Sequence, residues 1–401
     1  TATVTTPANG GYMVKSLTAV SGASSDSPAG IFNVQIAISS NAANKNDAAW
    51  YTGTGFISAF GEGLYRSTDT YNAGTGGWQW NRPADNLMET GKRYVLRVKA
   101  KDNVNREQSY DYTFTYDSAP PVAVITAPVD GVDRNAPFTI TGSSSDFGVG
   151  VSTVWVSIEQ LGTGCLKWPS LSDFSAGPCP GFFPATAGGG GDWSVANVQF
   201  VDGYRYVVVA RASDTASNVQ DVFEQSESSV TFVYDTSGPG IYISTPVHSG
   251  GTLRSRKLKD SGGVYSVFAG TAADTSPGVL TAVKVRVKDI LDNKYANPLD
   301  SLTFNLLNTE EEDAWFNANT TNGWLSWSVS SAIPYVSGRE YKLEARAYDG
   351  TGQYSSVYST RSVIYDNTSP GSTITFPTEG NIYVSSLPAI IGRMTDRTGN
   401  G

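Results

Sequence analysis

Aspartates recur in three sets along this sequence. Their side chains are the ones whose type and spacing could support chemistry. One set follows a strand-closing glycine by four residues, a second ends a segment that begins with tyrosine, and a third directly follows a tyrosine. Calcium binds about six to eight oxygens from carboxylates, carbonyls and water, so aspartates that converge would begin such a site. The three sets are Asp26, Asp146, Asp274 and Asp396; Asp102, Asp214 and Asp349; and Asp117, Asp235 and Asp366.

Catalytic chemistry is not indicated by the remaining polar residues. His248 is the single histidine, so no Ser–His–Asp or Cys–His set can be assembled without a second candidate. The acidic run from Glu310 to Asp313 is consecutive, whereas glycosidase carboxylates face each other across a cleft. The sequence therefore predicts a protein that is not an enzyme.

Composition excludes two further classes of function. The net charge is −9 and no basic stripe is visible, which argues against nucleic acid as a partner. No run of 18 apolar residues is present, so no helix of this segment is expected to span a membrane. Hydrophobic residues make up 39% of the 401 residues, which is enough to build folded cores.

A repeated unit is marked by three similar seams, "YDSAPP" at 116–121, "YDTSGP" at 234–239 and "YDNTSP" at 365–370. The chain start and each seam lead into a short strand that ends in proline, with a β-branched residue three positions earlier. A proline cannot donate to a strand ladder, so each seam should end one sheet before the next begins. The β-branched residues are Val4, Ile125, Ile243 and Ile374, and the glycines that close the following strand are Gly22, Gly142, Gly270 and Gly392.

The segments between seams alternate apolar and polar residues with the period of half-buried strands and show no helical period. Each complete unit has a tryptophan strand, with Trp80, Trp193 or Trp327 placed 11, 10 or 11 residues before a turn glycine. After that turn comes a strand that begins with Tyr94, Tyr206 or Tyr341, as in the tyrosine corner of immunoglobulin-like sandwiches.

The predicted fold class is all-β: tandem antiparallel Ig-like β-sandwiches, three complete and the start of a fourth. The fourth unit has some 30 residues and cannot bury a core alone, so we expect the native chain to continue, or another subunit to complete it. The predicted domains are 1–118, 119–237 with a cysteine-containing insertion at 162–192, 238–368, and 369–401 for the first strands of the truncated fourth.

The repeat resembles the tandem bacterial Ig-like domains of very large cell-surface and adhesin-type proteins. Those domains share the pattern Gly-x-Tyr-x-Val-x-Val-x-Ala-x-Asp and the Tyr-Asp-to-proline seam, seen here in "GYRYVVVARASD" and "YDTSGP". The resemblance covers essentially the whole chain, although "AYDGTGQY" departs from the usual turn after the strand. It implies an extracellular array on a microbial surface and does not specify a ligand.

In an Ig-like sandwich the chain enters at the end that carries the B–C and F–G loops. Each seam aspartate should therefore meet the two loop aspartates of the next domain. This predicts calcium at the joints, and the alternative is that each aspartate only caps its own turn. The predicted groups are Asp117 with Asp146 and Asp214, Asp235 with Asp274 and Asp349, and Asp366 with Asp396.

Two further features lie outside the repeated pattern. Cys165 and Cys179 lie within the insertion, and a disulfide there would close a 15-residue loop and imply an oxidising location. Four aromatic residues in the loop region between sheets could stack on sugars, although such residues more often cover a sandwich edge; they are Trp50, Tyr51, Trp168 and Trp315.

The leading functional interpretation is a non-enzymatic, extracellular structural stalk or filament on a microbial cell surface, with adhesion as a further role. Its partners would be neighbouring domains of the same longer chain, other subunits, or surface glycans and proteins. One alternative is a carbohydrate- or protein-binding array accessory to a larger secreted enzyme. Another is a subunit of a self-assembling appendage or lattice.

Overall fold

A computed structural model describes the chain except for residues 10, 12, 41–48, 58–59, 82–86, 176–177, 247–267, 276–277, 330–332, 366–369, 381–384 and 396–401. The protein is all-β, with 50% strand and 3% helix. Three short 3-10 turns occur among the described residues, at Glu62–Leu64, Gly189–Gly191 and Asn308–Glu310. No helix in the described part of the chain is long and apolar enough to cross a membrane.

The strands fall into three sandwiches and a final pair. The first sandwich contains β1 Ala2–Thr6, β2 Met13–Val14, β3 Ala19–Ser24, β4 Ile31–Ser39, β5 Trp50–Tyr51, β6 Phe56–Ile57, β7 Arg66–Ser67, β8 Thr70–Tyr71, β9 Gly77–Asn81, β10 Lys92–Asp102 and β11 Glu107–Tyr116. The second contains β12 Val122–Ala127, β13 Ile140–Ser145, β14 Val151–Gln160, β15 Gly164–Cys165, β16 Phe183–Pro184, β17 Thr186–Ala187, β18 Asp192–Val195, β19 Tyr204–Asp214 and β20 Ser229–Tyr234. The third contains β21 Gly240–Thr245, β22 Phe268–Ala273, β23 Leu280–Asp289, β24 Lys294–Asn297, β25 Thr303–Leu306, β26 Phe316–Asn317, β27 Asn319–Thr320, β28 Trp327–Val329, β29 Glu340–Asp349 and β30 Ser359–Ile364. The final pair is β31 Gly371–Phe376 and β32 Ile391–Thr395.

One strand order is common to the three sandwiches. The first sheet runs β1-β3-β9-β8, β12-β13-β18-β17 or β21-β22-β28-β27. The second sheet contains the antiparallel neighbours β4-β10-β11, β14-β19-β20 or β23-β29-β30. These are the A-B-E-D and C-F-G orders of the constant-type immunoglobulin sandwich. The predicted fold class is therefore confirmed.

The first two strands of every repeat pair in the same register. The β-branched residue before the proline lies opposite the strand-closing glycine, and a bulge follows immediately in all four repeats. The pair β31–β32 has this register too, so it corresponds to the first two strands of each sandwich. The opposed residues are Val4 and Gly22, Ile125 and Gly142, Ile243 and Gly270, and Ile374 and Gly392.

A tryptophan on the next strand explains why this position is glycine. A Cβ atom on Gly142 would lie 2.1 Å from Cζ2 of Trp193 and 2.2 Å from the carbonyl oxygen of Val124, so no larger side chain fits. The same contact pairs Gly22 with Trp78 at 2.3 Å and Gly270 with Trp327 at 2.4 Å. The assignment of Trp80 as the counterpart of Trp193 and Trp327 was therefore wrong. Trp78 is the equivalent residue, because it lies opposite Gly22, whereas Trp80 lies opposite Val20.

The tyrosine at the start of each F strand is fully buried. The hydroxyl of Tyr94 accepts a 2.8 Å hydrogen bond from the backbone amide of Glu89, and that of Tyr341 accepts one of 2.8 Å from Val336. Both partners lie five residues upstream, which is the tyrosine-corner arrangement. Tyr206 donates to Oε1 of Gln160 at 3.3 Å.

The outer face of each C-F-G sheet is covered by a loop that is held through one basic residue of the F strand. A cation over an aromatic ring is favourable, so each of these contacts helps to hold the loop on the sheet. The contacts are Lys99 over Tyr65 at 4.1 Å, Arg211 over Phe182 at 3.9 Å and Arg346 over Trp315 at 4.1 Å.

The chain divides into two compact units. One comprises Thr1–Val132, Pro137–Phe200 and Arg205–Phe232, and the other comprises Asp133–Ala136, Val201–Tyr204 and Val233–Gly401. The first joint between sandwiches thus lies within one unit. The predicted domain boundaries remain predictions.

Candidate metal centres at the seams

The structure brings three predicted aspartates together at the first seam. One carboxylate oxygen of each of Asp117, Asp146 and Asp214 lies within 4.8 Å of the other two. Asp117 follows β11 of the first sandwich, whereas Asp146 follows β13 and Asp214 ends β19 of the second. The last strand of one sandwich thereby delivers a carboxylate to two loops of the next. We call this group the first seam cluster.

Asp146 combines turn capping with a free oxygen. Its Oδ2 accepts hydrogen bonds from the backbone amides of Gly148, Val149 and Gly150 at 2.9, 2.6 and 2.8 Å. Its Oδ1 is buried and has no hydrogen-bond partner. Burial of an unpaired carboxylate oxygen is costly, and a cation would satisfy it.

Asp117 is fully buried in the seam. Its Oδ1 accepts from the amide of Ala119 at 3.0 Å and its Oδ2 from that of Val149 at 3.1 Å. A Cβ atom on Gly148 would lie 2.0 Å from Oδ2 of Asp117, so the loop can approach this carboxylate only with glycine at that position.

Asn218 ties the third aspartate to the seam backbone. Its amide nitrogen Nδ2 donates to Oδ2 of Asp214 at 2.7 Å and to the carbonyl oxygen of Asp117 at 3.1 Å. The backbone amide of Asn218 also donates to Oδ1 of Asp214 at 2.8 Å. Asn218 and Asp214 are both buried, so these bonds are shielded from water.

The second seam repeats this arrangement. Carboxylate oxygens of Asp235, Asp274 and Asp349 lie within 4.8 Å of one another, and we call them the second seam cluster. Oδ2 of Asp274 is buried without a hydrogen-bond partner, as is Oδ1 of Asp146 in the first cluster. Gln353 takes the place of Asn218, because its Nε2 donates to the carbonyl oxygen of Asp235 at 3.0 Å. A Cβ atom on Gly278 would lie 2.5 Å from Oδ2 of Asp235.

Three of the seam aspartates have raised pKa values, because burial and the neighbouring carboxylates disfavour their charged forms. Burial raises the pKa of Asp117, the amide of Ala119 opposes the rise, and the carboxylates of Asp146 and Asp214 add to it. Burial likewise raises the pKa of Asp235. Burial, with a smaller contribution from neighbouring carboxylates, raises the pKa of Asp274 to about 6. A bound cation would offset both causes.

The donor set fits a hard cation. All side-chain ligands on offer are carboxylate oxygens, and Ca2+ accepts irregular oxygen sites that it completes with carbonyls and water. The capping alternative is also realised, since Oδ1 of Asp349 accepts from the amides of Thr351 and Gln353 at 2.8 and 2.9 Å. The two roles are compatible at Asp146, where Oδ2 caps the turn and Oδ1 has no hydrogen-bond partner. Calcium therefore remains a prediction.

Two predicted ligands, Asp366 and Asp396, lie outside the described residues, as does His248. In the first sandwich Asp102 caps its own turn, with Oδ1 accepting from the amides of Val104 and Arg106 at 2.9 and 2.8 Å. Asp26, a recurring aspartate of the same sandwich, is exposed.

The predicted disulfide is confirmed. Cys165 and Cys179 are bonded, with their Cα atoms 5.5 Å apart. The bridge closes the insertion that carries β15 and β16 on the outer face of the second sandwich.

The aromatic prediction was wrong for three of its four residues. Trp50, Tyr51 and Trp315 are 1%, 4% and 7% exposed, because Trp50 and Trp315 pack against basic residues of the outer sheet face and Tyr51 belongs to the core of the first sandwich. Arg97 lies over the ring of Trp50 at 5.0 Å. Only Trp168 of the four is open to solvent, with 50% of its surface exposed.

Comparison with known proteins finds similar tandem domains among solved structures only. No family model and no curated protein matches the chain. Among solved structures, the chain is similar to a tetra-tandem repeat in the extending region of a large adhesion protein (17% identity, 91% of this chain and 74% of that one, TM-score 0.31). It is also similar to chicken CNTN1 FN1-FN3 domains (12% identity, 89% and 100%, TM-score 0.29) and to Sidekick-1 immunoglobulin domains 1-5 (8% identity, 91% and 59%, TM-score 0.30). All three are repeats or domain arrays, and likeness at this level says nothing of a shared ligand.

Proposed function

We propose that the chain is a non-enzymatic, extracellular structural stalk of tandem Ig-like sandwiches, with Ca2+ bound at the seam clusters and the first of these ions holding the first two sandwiches at a fixed angle. The observation that carries the proposal is the duplicated cluster, in which a carboxylate from one sandwich meets two from the next. Three carboxylates that are buried together repel one another, so the joint is best ordered when a cation is present.

Features of the chain outside the clusters support the same role. The seams are short and end in proline, which leaves little slack between sandwiches. The disulfide supports an oxidising compartment, since such bonds persist outside the cytosol. The seam clusters offer carboxylate oxygens, which suit the binding of a hard cation.

Small-angle X-ray scattering of the whole chain tests the mechanical role. With Ca2+ we expect a narrow distribution of interatomic distances, and with excess chelator a broader one, because the first joint loses its cation. The variant Asp146→Asn should give the broad distribution even with Ca2+, whereas Asp26→Asn, an exposed member of the same set, should not. Identical scattering with and without Ca2+ would end the stalk-joint proposal.

A further inference from the structure

The disulfide-closed insertion of the second sandwich holds a tryptophan in solvent. The ring of Trp168 lies parallel to that of Phe183, with centroids 5.1 Å apart and 4° between planes. Phe183 is 2% exposed and Trp168 is 50% exposed, so a buried ring stacks against a solvent-exposed ring. In the first and third sandwiches the tryptophans of the corresponding segment, Trp50 and Trp315, are buried instead. The fold itself therefore does not require an exposed indole here.

A cavity of about 610 Å3 opens beside this indole. Its lining includes Trp155, Trp168 and Phe182 together with the ammonium-bearing Lys167. Pockets that bind small ligands are mostly apolar with a few polar groups that orient the ligand. A cavity with one open aromatic plane and a cation at its rim has that composition.

Arg211 supplies a second positive charge next to two lining residues of this cavity. It is the cross-strand neighbour of Trp155 and its guanidinium lies 3.9 Å from the ring centre of Phe182. Its Nε is buried and has no hydrogen-bond partner.

The equivalent basic residues of the other two sandwiches are neutralised by acids. Lys99 pairs with Glu62 at 2.6 Å and Arg346 pairs with Glu312 at 2.9 Å. Among the described residues no carboxylate forms an ion pair with Arg211. The second sandwich thus keeps the cation of this slot but lacks the anion that balances it.

Two acids lie nearby, and neither forms an ion pair with Arg211. A hydrogen bond from the Ser175 side chain lowers the pKa of Asp173 of the insertion, and the Ser175 amide, 2.9 Å from Oδ1, and the charge of Lys167 add to this effect. Glu159 has a carboxylate oxygen within 4.8 Å of the sulfur atoms of Cys165 and Cys179. The uncompensated charge of Arg211 remains available to an anionic ligand.

We propose that this cavity binds a uronic-acid residue of an acidic polysaccharide, with the apolar face of the pyranose ring on Trp168 and the carboxylate drawn to Lys167 and Arg211. An aromatic plane accepts the C–H face of a sugar whatever its charge. A guanidinium favours a carboxylate, so the arginine selects the acidic sugar. The site is independent of the seam clusters.

Isothermal titration calorimetry of the whole chain, with a short oligogalacturonide and a neutral galactan oligosaccharide of the same length, tests this assignment. We expect the acidic sugar to bind at least about tenfold more tightly than the neutral one, since one hydrogen bond to a charged group is worth that factor or more. Lys167→Gln, which leaves the contact between Arg211 and Phe182 in place, should reduce this preference with neutral binding unchanged, and Arg211→Gln should reduce the preference as well. Trp168→Ala should weaken both sugars, and Phe32→Ala, which alters an exposed ring of the first sandwich, should weaken neither.

Three outcomes would overturn the assignment: equal affinity for the two sugars, no binding of the acidic sugar at millimolar concentration, or unchanged affinity in both Arg211→Gln and Trp168→Ala. Calcium titration of the same samples shows whether the seam clusters are intact. A failure of the sugar site is thereby distinguished from a failure of the stalk proposal.

Discussion

Asn218 donates a 3.1 Å hydrogen bond to the backbone carbonyl of Asp117, a residue 101 positions earlier in the chain. Gln353 makes the same bond to the carbonyl of Asp235, 118 positions earlier. Both amides stand four residues after the aspartate that ends the F strand. The first and second seams therefore each have a side-chain amide that holds the seam backbone beside the aspartate cluster.

Removal of the Asn218 side chain should weaken the first joint, because its amide donates to both the carbonyl of Asp117 and Oδ2 of Asp214. Asn218→Ala leaves the buried carbonyl of Asp117 unpaired, which costs about 1–3 kcal/mol of unfolding free energy. Urea unfolding of the whole chain measures the loss, and Asn317→Ala, an exposed asparagine of the third sandwich, should cost less than about 0.5 kcal/mol. Equal stability of the two variants would show that the bond contributes nothing.

The glycine beneath the tryptophan should tolerate no side chain. Gly142→Ala forces a methyl group into Trp193 and the carbonyl of Val124, and overpacking of this severity costs about 3 kcal/mol. Gly189→Ala is the matched control, because no atom lies within 4 Å of a Cβ placed there. We expect thermal unfolding to show a much lower midpoint for the first variant only. Similar midpoints would contradict the proposed packing.

Without a cation, the second seam cluster should make stability depend on pH. The pKa of Asp274 rises from an ordinary value of 3.8 to about 6 in the folded chain, so the folded state binds a proton more tightly than the unfolded state. Stability conferred by the protonated form is present below about pH 4 and lost as the pH rises to about 6. Urea midpoints in excess chelator should fall over that window, and Asp274→Asn should flatten the change.

Calcium should remove that fall, because it competes with protons for the same oxygens. In saturating Ca2+ the ion-bound carboxylates take up no proton in this window, so the midpoint should stay level across it. A midpoint in chelator that is flat for the unaltered chain would refute the proposed burial of Asp274.

The disulfide should stabilise the second sandwich and leave the seams unaffected. Closure of a 15-residue loop contributes about 3 kcal/mol in the chain-entropy model, so Cys165→Ala with Cys179→Ala should lower the unfolding free energy by about that amount. Calcium affinity should stay unchanged, since neither cysteine belongs to a seam cluster. An altered calcium affinity would show that the insertion and the seam are coupled.

The sequence predicted the repeat and the two aspartate groups because both rest on short patterns at fixed offsets. Alternating strands, seam prolines and strand-closing glycines each report a local backbone requirement that survives in every copy. The grouping of Asp117 with Asp146 and Asp214 then required only the rule that a chain enters an Ig-like sandwich at the B–C and F–G end.

Residues whose role depends on burial could not be assigned in this way. Trp50 and Trp315 look like surface aromatics in sequence, yet the basic residues of the outer sheet face cover them. Asn218 and Gln353 share an offset from their aspartates, which was a usable signal, but an amide alone does not reveal a partner 101 or 118 residues away. Gly148 and Gly278 were missed for the same reason, since their contacts are carboxylates of the seam.

Calcium titration by calorimetry tests the central claim most directly. We expect the unaltered chain, freed of metal, to bind Ca2+ with at least two equivalents assigned to the seam clusters. Asp146→Asn should lose one of them, Asp274→Asn the other, and the double variant both, whereas Asp26→Asn should lose none. Failure of the metal-free chain to take up Ca2+ at millimolar concentration, or full uptake by the double variant, would contradict the account.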